Sequence, residues 1–341
     1  MGIFDFLTAD IAIDLGTANT LIYVKGKGVV LNEPSMVAID KNSKRIIALG
    51  NEAKEMQGKE HSEICIIRPL RDGVIADFEI AEAMIRAFIK KIRVGALSSR
   101  RVVIAVPSGV TEVEKRAVRD SAEHAGIKEV HLISEPMSAA IGLGIDVEAP
   151  VGNMIVDIGG GTTEIAVIAL SGIVNEESLR IAGDKMNCSI IHFFKRNHNI
   201  LIGEKTAEAI KCEVGSAVPL KNELKIQVKG RDLVNGLPKT IEVSSTEIRK
   251  LLNASILKIT KAIRQSLEKI PPELSADIID RGVMLTGGGA LLKGLDDRIR
   301  LETNLPVHVA EDPLTAVVMG TGKVIDDFNE FSNVLIRNRR Y

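Results

Sequence analysis

One short pattern occurs twice in this chain: a carboxylate at the end of an apolar strand, followed by a turn of small residues. The first copy is DLGTANT at residues 14–20, and the second is DIGGGTT at residues 157–163. Apolar residues alternate on both sides of each copy, which predicts two β-hairpins. A chain of 341 residues that repeats a hairpin in this way is expected to fold as two related domains.

Two helices and a buried strand are predicted after the first copy. The sequence predicts an amphipathic helix over residues 79–93 and a buried strand over residues 101–107. Thr111 and Glu114 then form the capping-box pattern that opens a second helix, and Gly126 is the expected residue just beyond its C-terminus.

The second half follows the same order with a longer insertion. Strands are predicted from 153 to 182, and residues 183–243 are interpreted as an insertion with helices and a β-like stretch. Ser244 and Glu247 form another capping box, which opens a helix that ends at the prolines beginning with Pro271. The strand GVMLTGG follows.

A further match supports the duplication. EPMSA at residues 135–139 corresponds to DPLTA at residues 312–316. The two halves are interpreted as duplicated α/β domains whose first hairpins face each other. Residues 33–65 are polar and irregular, as expected of a small inserted subdomain.

Composition excludes several classes of function. Lys and Arg (44) almost cancel Asp and Glu (45), which argues against binding nucleic acid through bulk positive charge. The first ten residues lack the features of a secretory signal, and no apolar run reaches the roughly 20 residues of a membrane span. Cys65, Cys188 and Cys212 are interpreted as buried or half-buried thiols in a reducing compartment, and not as a zinc site.

The paired turns have the composition of a phosphate-binding site. Asp14 and Asp157 are expected to point into the cleft between the domains, where a hydrated Mg²⁺ would stabilise both carboxylates. Small residues let backbone N–H groups approach an anion closely. These residues are Gly16, Thr17, Ala18 and Asn19 in the first turn and Gly159, Gly160, Gly161 and Thr162 in the second. Either turn alone is equally well explained as a tight hairpin, whereas two matched copies favour a clamp around a phosphate chain.

A third glycine-rich segment, TGGGALLKG, spans residues 286–294. On its own it is best explained as a strand-to-helix turn, and together with the other two clusters it favours contact with a nucleoside. The sequence has no GxxxxGK[ST] P-loop, no complete GxGxxG fingerprint and no protein-kinase HRD or DFG set, so those nucleotide-binding mechanisms are excluded.

DLGTANT, EPMSAA, DIGGGTTE and TGGGALLKG, in this order and spacing, resemble the motifs of the actin, Hsp70 and sugar-kinase ATPase superfamily. Within it, the motifs and the chain length are most similar to the MreB family of bacterial actins, over essentially the whole chain. The resemblance implies actin-like (ribonuclease H-like) domains with four subdomains around a central nucleotide cleft. It also implies ATP or ADP with Mg²⁺ in that cleft, ATP hydrolysis, and polymerisation into filaments that determine cell shape.

The resemblance divides the chain into four subdomains. Subdomain IA would comprise residues 1–32, 66–143 and 310–341, subdomain IB residues 33–65, subdomain IIA residues 144–182 and 244–309, and subdomain IIB residues 183–243.

The resemblance also implies a role for each site residue. The two turns would contact phosphates, Asp14 and Asp157 would hold Mg²⁺ through water, and Glu208 and Lys211 would lie near the ribose and base. The adenosine-side loop would consist of Gly287, Gly288, Gly289, Ala290 and Leu291.

Hydrolysis in this family implies two further roles. Glu135 would orient the attacking water, with Thr162 beside the γ-phosphate, and no covalent intermediate is required. Asp312, the counterpart of Glu135 in the second half, is expected to face away from the phosphates and to cap a helix.

The implied partners are further copies of this chain, other cytoskeletal or shape proteins, and the inner face of the cytoplasmic membrane, so a cytoplasmic, peripheral membrane location is expected. Ile3, Phe4 and Leu7, with Phe6 nearby, are interpreted as an amphipathic anchor or, equally, as a hydrophobic staple against the first domain. The arginines of the C-terminal IRNRRY are better explained as a solvated tail than as a lipid contact.

Two other functions of the same fold stay open at this point, an Hsp70-like regulatory ATPase and a small-molecule kinase. Only some two dozen residues follow Thr315, too few for a peptide-binding domain. No separate general base for a kinase acceptor substrate is evident.

Overall fold

A computed structural model describes residues 10–92 and 101–337, which form two α/β domains with a cleft between them. The strands of the first half are β1 (Ile11–Leu15), β2 (Asn19–Val24), β3 (Gly28–Pro34), β4 (Val37–Asp40), β5 (Ile46–Leu49), β6 (Ile64–Ile67), β7 (Leu70–Arg71), β8 (Val74–Ile75), β9 (Arg101–Val106) and β10 (Glu129–Ser134). Its helices are α1 (Asn51–Met56), α2 (Phe78–Lys91), α3 (Glu112–His124) and α4 (Glu135–Gly142).

The second half contains the remaining elements. Its strands are β11 (Asn153–Ile158), β12 (Thr163–Ala169), β13 (Gly172–Leu179), β14 (Ile200–Leu201), β15 (Lys225–Asp232), β16 (Pro238–Ser244), β17 (Val283–Thr286) and β18 (Val307–Val309). Its helices are α5 (Gly183–Asn197), α6 (Glu204–Val214), α7 (Ser245–Glu268), α8 (Pro272–Arg281), α9 (Leu295–Thr303) and α10 (Ala316–Asp326), and short 3₁₀ helices span Gly288–Leu291 and Glu330–Val334.

The two large sheets have the same strand order and the same strand directions. The order is β10-β9-β1-β2-β3 in the first domain and β18-β17-β11-β12-β13 in the second. In each sheet the central strand pairs antiparallel with its hairpin partner and parallel with the strand on its other side. The predicted duplication is confirmed, with β1 corresponding to β11 and β9 to β17.

Both predicted capping boxes are present. The Thr111 hydroxyl accepts a hydrogen bond from the Glu114 backbone nitrogen, and the Glu114 carboxylate accepts one from the Thr111 backbone nitrogen at 2.7 Å. Ser244 and Glu247 form the same reciprocal pair at the start of α7. These pairs satisfy backbone donors that the first turn of a helix leaves free, which is why the sequence located both helix starts correctly.

Each half carries an insertion with a small three-stranded sheet. The first sheet has the order β5-β4-β6 and is accompanied by α1, and the second has the order β14-β15-β16 and is accompanied by α5 and α6. The polar segment 33–65 is ordered because Met36, Ala38, Ala48 and Ala53 form a small core of their own. The second insertion shares one continuous core with its domain.

Helices α4 and α10 pack against each other between the two large sheets. The Ser138 and Thr321 hydroxyl oxygens lie 3.0 Å apart, and Lys323 Nζ donates to the carbonyl oxygen of Ile141 at 2.9 Å. The helices approach so closely that a Cβ at Gly320 would overlap the Ser138 carbonyl oxygen. This crossing joins the two domains, and α4 begins with Glu135.

The structure corrects two expectations about helix ends. The sequence predicts only the end of a helix at Pro271 and Pro272, whereas in the structure these prolines also open α8, because proline is favourable in the first turn of a helix. The predicted capping role of Asp312 is wrong. Helix α10 starts at Ala316 with Thr315 at its N-cap position, and the Asp312 carboxylate accepts a hydrogen bond from the Thr315 hydroxyl at 2.7 Å.

Within residues 10–92 and 101–337, no helix has both the length and the hydropathy to cross a bilayer. The apolar N-terminal residues interpreted as an anchor or staple lie outside the described residues; these are Ile3, Phe4, Phe6 and Leu7. Residue 93, the last residue of the helix predicted over 79–93, and the last four residues of the chain also lie outside them.

We expect Gly320→Ala to destabilise the protein by roughly 1–3 kcal/mol, the usual cost of adding a methyl group to a well-packed core. The added Cβ forces α4 and α10 apart. Urea unfolding followed by circular dichroism measures the effect. Gly172→Ala is the matched control, because Gly172 is exposed and a Cβ there would have neighbours at ordinary contact distance, 3.6 Å or more. Identical unfolding curves for the two variants would contradict the close crossing.

Candidate functional site

A cavity of about 720 Å³ lies in the cleft between the two domains. Three glycine-rich segments line it: the β1–β2 turn, the β11–β12 turn and the segment after β17. Helices α5 and α6 of the second insertion also contribute residues to its wall. The three clusters that the sequence analysis assigned to one ligand share this cavity.

The first turn, between β1 and β2, is held in place by neighbouring loops. Ser35 Oγ donates to the carbonyl oxygen of Gly16 at 2.6 Å, and the backbone nitrogen of Gly73 donates to Thr17 Oγ1 at 3.1 Å. A Cβ at Gly16 would lie only 2.7 Å from the carbonyl oxygen of Asn19, so a larger residue does not fit this turn. Asp14 precedes the turn on β1 and lines the cavity.

The second turn, between β11 and β12, lies directly opposite the first. A Cβ at Gly160 would lie 2.7 Å from the Cβ of Ala18, and a Cβ at Gly161 would lie 2.7 Å from Thr17 Oγ1. The two turns are therefore in contact across the cleft, as expected of hairpins that face each other. Such an approach requires residues without side chains in the second turn.

Several buried carboxyl groups lie close together in this site. Burial raises the pKa of Asp14 from 3.8 to about 7. Burial, and then repulsion from Asp14 and Glu164, raises the pKa of Asp157 from 3.8 to about 8. Burial and then repulsion from Glu164 and the two aspartates raises the pKa of Glu135 well above its ordinary value. Loss of hydration is the largest cause of each raised pKa. A bound cation would stabilise the ionised carboxylates and so lower these pKa values.

The carboxylates of this site suit a magnesium ion that takes most of its ligands from water and from a bound phosphate. In the part of the chain that the structure describes, no group of three or more His, Cys, Asp and Glu residues is arranged to hold a metal ion alone. Mg²⁺ usually keeps several waters and takes one or two carboxylates together with phosphate oxygens. Asp14 and Asp157, one from each domain, supply that number of carboxylates.

Glu164 is a further buried carboxylate, which no sequence pattern singles out. It lies on β12 opposite Asp157 and is 1% exposed. Its carboxylate accepts a hydrogen bond from the backbone nitrogen of Ser108 in the first domain at 3.1 Å, and another from the Ser178 hydroxyl in the second at 2.7 Å. Glu164 therefore links the two domains beside the acidic cluster.

The segment after β17 contacts the second turn. Gly287 has a φ of 79°, and a Cβ there would overlap the Asp157 carboxylate and the carbonyl oxygen of Ile158, so glycine is required. Of the residues predicted to contact adenosine, Gly287, Gly288, Gly289 and Leu291 line the cavity. Ala290 instead lies in the core of the second domain, with 4% of its surface exposed.

Polar side chains of α5 and α6 form another wall of the cavity. Glu208 and Lys211, which were predicted near the ribose and base, lie on α6, and Asn187 lies on α5. Asn187 Nδ2 donates to a carboxylate oxygen of Glu208 at 3.0 Å. Lys211 Nζ lies 3.9 Å from the other Glu208 oxygen and 3.4 Å from the carbonyl oxygen of Gly183. This wall offers both donors and acceptors to a sugar or a base.

Two side-chain contacts across the cleft were not predicted. Arg68 forms a two-pronged ion pair with Asp184, at 2.9 and 3.2 Å, and also donates to the carbonyl oxygen of Thr17 at 3.2 Å. Gln57 Nε2 donates to Glu204 at 2.9 Å. The paired residues are 116 and 147 positions apart, so no local pattern in the sequence could have identified them.

The prediction of buried or half-buried thiols holds for Cys65 and is wrong for two cysteines. Cys188 and Cys212 are exposed and line the cavity, and all three thiols are free. Cys188 lies on α5 and Cys212 lies on α6. The core-facing positions of these helices are occupied by other residues such as Ile190 and Ile210.

Comparison with known proteins places these features in context. The family model described as MreB/Mbl protein matches residues 8–333. The chain is 52% identical over 322 residues to the cell shape-determining protein Mbl of Bacillus subtilis, covering 94% of this chain and 97% of the relative. It is 51% identical over 323 residues to the cell shape-determining protein MreB of Escherichia coli, covering 93% of each.

A solved structure extends the comparison to three dimensions. The crystal structure of MreB5 of Spiroplasma citri bound to AMPPNP matches with a TM-score of 0.88 at 41% identity, covering 95% of this chain and 97% of that one. The same protein bound to ADP matches with a TM-score of 0.90 at 40% identity, covering 96% and 99%. The expected actin-like fold is confirmed.

The acidic cluster predicts how stability depends on pH in the absence of nucleotide and metal. The pKa of Asp157 is about 8 in the folded chain, compared with the ordinary value of 3.8. The folded state therefore binds this proton more tightly than the unfolded state does, and the stability gained from it is lost as the pH rises from about 4 through about 8. The free energy of unfolding of Asp157→Asn, minus that of the wild type, should therefore increase between about pH 4 and about pH 8. Urea titrations with a chelator present measure this difference. A difference independent of pH would contradict the dehydrated site.

Proposed function

The chain belongs to the MreB/Mbl family, and from that premise we propose that it binds ATP with Mg²⁺ in the interdomain cleft, hydrolyses it, and assembles with copies of itself into filaments that determine cell shape. The observation that carries the proposal is the contact between the two small-residue turns, one from each domain, in a cavity that the third glycine-rich segment also lines. Its volume is in the range of small-molecule sites.

Phosphate binding is assigned to the two turns. Short residues let a phosphate chain approach the backbone closely, and a chain that lies in the cavity alongside the contact between the turns would accept hydrogen bonds from both domains. The MreB5 relative is known in complexes with AMPPNP and with ADP, which supports the same class of ligand here. When bound, Mg²⁺ would supply the positive charge that stabilises Asp14, Asp157 and the phosphate oxygens.

The nucleoside is assigned to the wall formed by α5 and α6 and to the segment after β17. Glu208 and Lys211 offer an acceptor and a donor there, and Asn187 holds one oxygen of the Glu208 carboxylate. Gly288 and Gly289 present a surface without side chains against which a flat base can pack.

Hydrolysis is assigned to Glu135 and Thr162. Glu135 is the first residue of α4, is 8% exposed and lines the cavity, so its carboxylate meets the cleft where little bulk water enters. In its ionised form it would accept a hydrogen bond from the attacking water and orient it toward the terminal phosphate, with Thr162 beside that phosphate.

Glu135→Ala should keep its affinity for ATP and release phosphate about 10²- to 10⁴-fold more slowly, the usual contribution of a positioned acid or base. Phosphate release under single-turnover conditions measures the rate, and titration with a fluorescent ATP analogue measures the affinity. Glu112→Ala is the matched control, since Glu112 is likewise the first residue of a helix but lies outside the cavity. Unchanged turnover in Glu135→Ala would remove Glu135 from the mechanism.

The four-subdomain division is proposed with the bounds derived from the resemblance. The insertion 33–65 contributes its own small sheet and core, which supports treating it as subdomain IB. The insertion 183–243 contributes α5, α6 and a second small sheet, which supports treating it as subdomain IIB. The Gln57–Glu204 hydrogen bond joins these two insertions across the cleft.

Assembly is expected to require the loaded cleft. The protein should pellet at high speed with ATP and Mg²⁺, and remain in the supernatant without them. Asp157→Ala should bind nucleotide weakly and pellet poorly, because one of the two carboxylates for the metal is lost. Electron microscopy of the pellet distinguishes filaments from aggregates. Normal ATP binding and hydrolysis by Asp157→Ala would contradict the proposed arrangement of metal and phosphates.

Membrane contact forms a second arm of that experiment. We place the filaments at the inner face of the cytoplasmic membrane, with Ile3, Phe4, Phe6 and Leu7 as the apolar anchor. Deletion of residues 2–7 should reduce co-sedimentation with liposomes while pelleting with ATP and Mg²⁺ alone is retained. Unchanged liposome binding would assign those side chains to packing within the first domain.

The two alternative functions are not favoured. The Mbl and MreB relatives compared above match nearly the whole chain and are named as cell shape-determining proteins, which favours the cytoskeletal function.

A further inference from the structure

Two of the three cysteines lie in the same wall of the cleft cavity. Cys188 is on α5 and Cys212 is on α6, and both are exposed and line the cavity. Cys65, on β6, is half-buried against the core of the first domain. A thiol has to be accessible in order to react. The structure therefore sets Cys188 and Cys212 apart from Cys65.

The residue next to Cys188 carries a polar atom that a ligand in the cavity would satisfy. Asn187 is 6% exposed and lines the cavity, and its side-chain oxygen is buried with no hydrogen-bond partner among the described residues. A buried acceptor left without a donor is unfavourable, because it has lost its hydrogen bonds to water. A hydroxyl group of a sugar or an amino group of a base would provide the missing donor.

Two lysines lie beside Cys212. Cys212 directly follows Lys211, whose ammonium lies 3.9 Å from Glu208. Lys293 Nζ donates to the carbonyl oxygen of Cys212 itself at 2.7 Å. Both lysines line the cavity, and either would pair with a carboxylate of an anionic reagent bound beside this thiol.

Building on the proposed nucleotide site, we propose that Cys188 and Cys212 form a thiol modification site for small disulfides, and that modification and nucleotide binding exclude each other. The cysteine sulfur, as thiolate, attacks one sulfur of the disulfide, a mixed disulfide forms, and the other half leaves as a thiolate while the cysteine proton goes to solvent. The protein sulfur is oxidised and the departing sulfur is reduced. The attached group then occupies the space of the nucleoside.

The probe is 5,5′-dithiobis-(2-nitrobenzoate), an anionic disulfide that releases one coloured thiolate for each cysteine modified. Two thiols of the folded wild type should react readily, and Cys188→Ser and Cys212→Ser should each lose one. Cys65→Ser is the matched control and should keep both. With AMPPNP and Mg²⁺ at about 100 times the dissociation constant, about 1% of the clefts are empty, so both reactions should slow by about 100-fold.

The converse measurement tests exclusion from the other side. Modified wild type should bind a fluorescent nucleotide at least about tenfold more weakly, and dithiothreitol should restore the original affinity. The reagent should not change the affinity of the Cys188→Ser/Cys212→Ser double variant, whose folding is checked by circular dichroism.

The outcomes separate the two proposals. Nucleotide binding by the unmodified protein, together with thiol reaction rates that nucleotide does not change, overturns the modification site and leaves the proposed function intact. Failure of the unmodified protein to bind any nucleotide overturns both.

Discussion

The two small-residue turns that follow Asp14 and Asp157 touch each other across the cleft, and the rest of the site depends on this contact. Gly160 packs against Ala18 and Gly161 against Thr17, at distances that leave no room for a side chain on either glycine. The same approach brings two aspartates into a region with little water, which raises the pKa of both. The fold thus concentrates negative charge beside two turns of small residues, and a ligand that carries both a cation and phosphates would be complementary to this arrangement.

Two kinds of interaction hold the domains in this arrangement. The crossing of α4 and α10 is buried, and its glycine contact allows the helix backbones to approach closely. Polar contacts also cross between the domains. The Arg68–Asp184 ion pair and the Gln57–Glu204 hydrogen bond are at least partly exposed, whereas the Ser108–Glu164 hydrogen bond ends on a buried carboxylate. Partly exposed ion pairs contribute only about 1 kcal/mol or less. The packed helix crossing is therefore a stronger connection between the domains than the partly exposed ion pair.

Local signals predicted most of the secondary structure because they depend on residues within one helical turn or one hairpin. The capping boxes at Thr111 and Ser244 located two helix starts, and alternating apolar residues located the paired hairpins. The same kind of signal failed where one pattern serves two purposes. Pro271 and Pro272 follow the end of α7 and also open α8. Asp312 accepts a hydrogen bond from the Thr315 hydroxyl and does not cap α10.

By itself, the sequence determined that the chain has two copies of one hairpin, each with an aspartate before its turn, and three glycine-rich segments, since these features are patterns of neighbouring residues. Only the tertiary structure decided which side of each segment meets the cleft: it buried Ala290 in the core, exposed Cys188 and Cys212, and paired Arg68 with Asp184. The physical reason is that these outcomes depend on packing between segments far apart in the chain, and no pattern within one segment records the surface against which it will be packed.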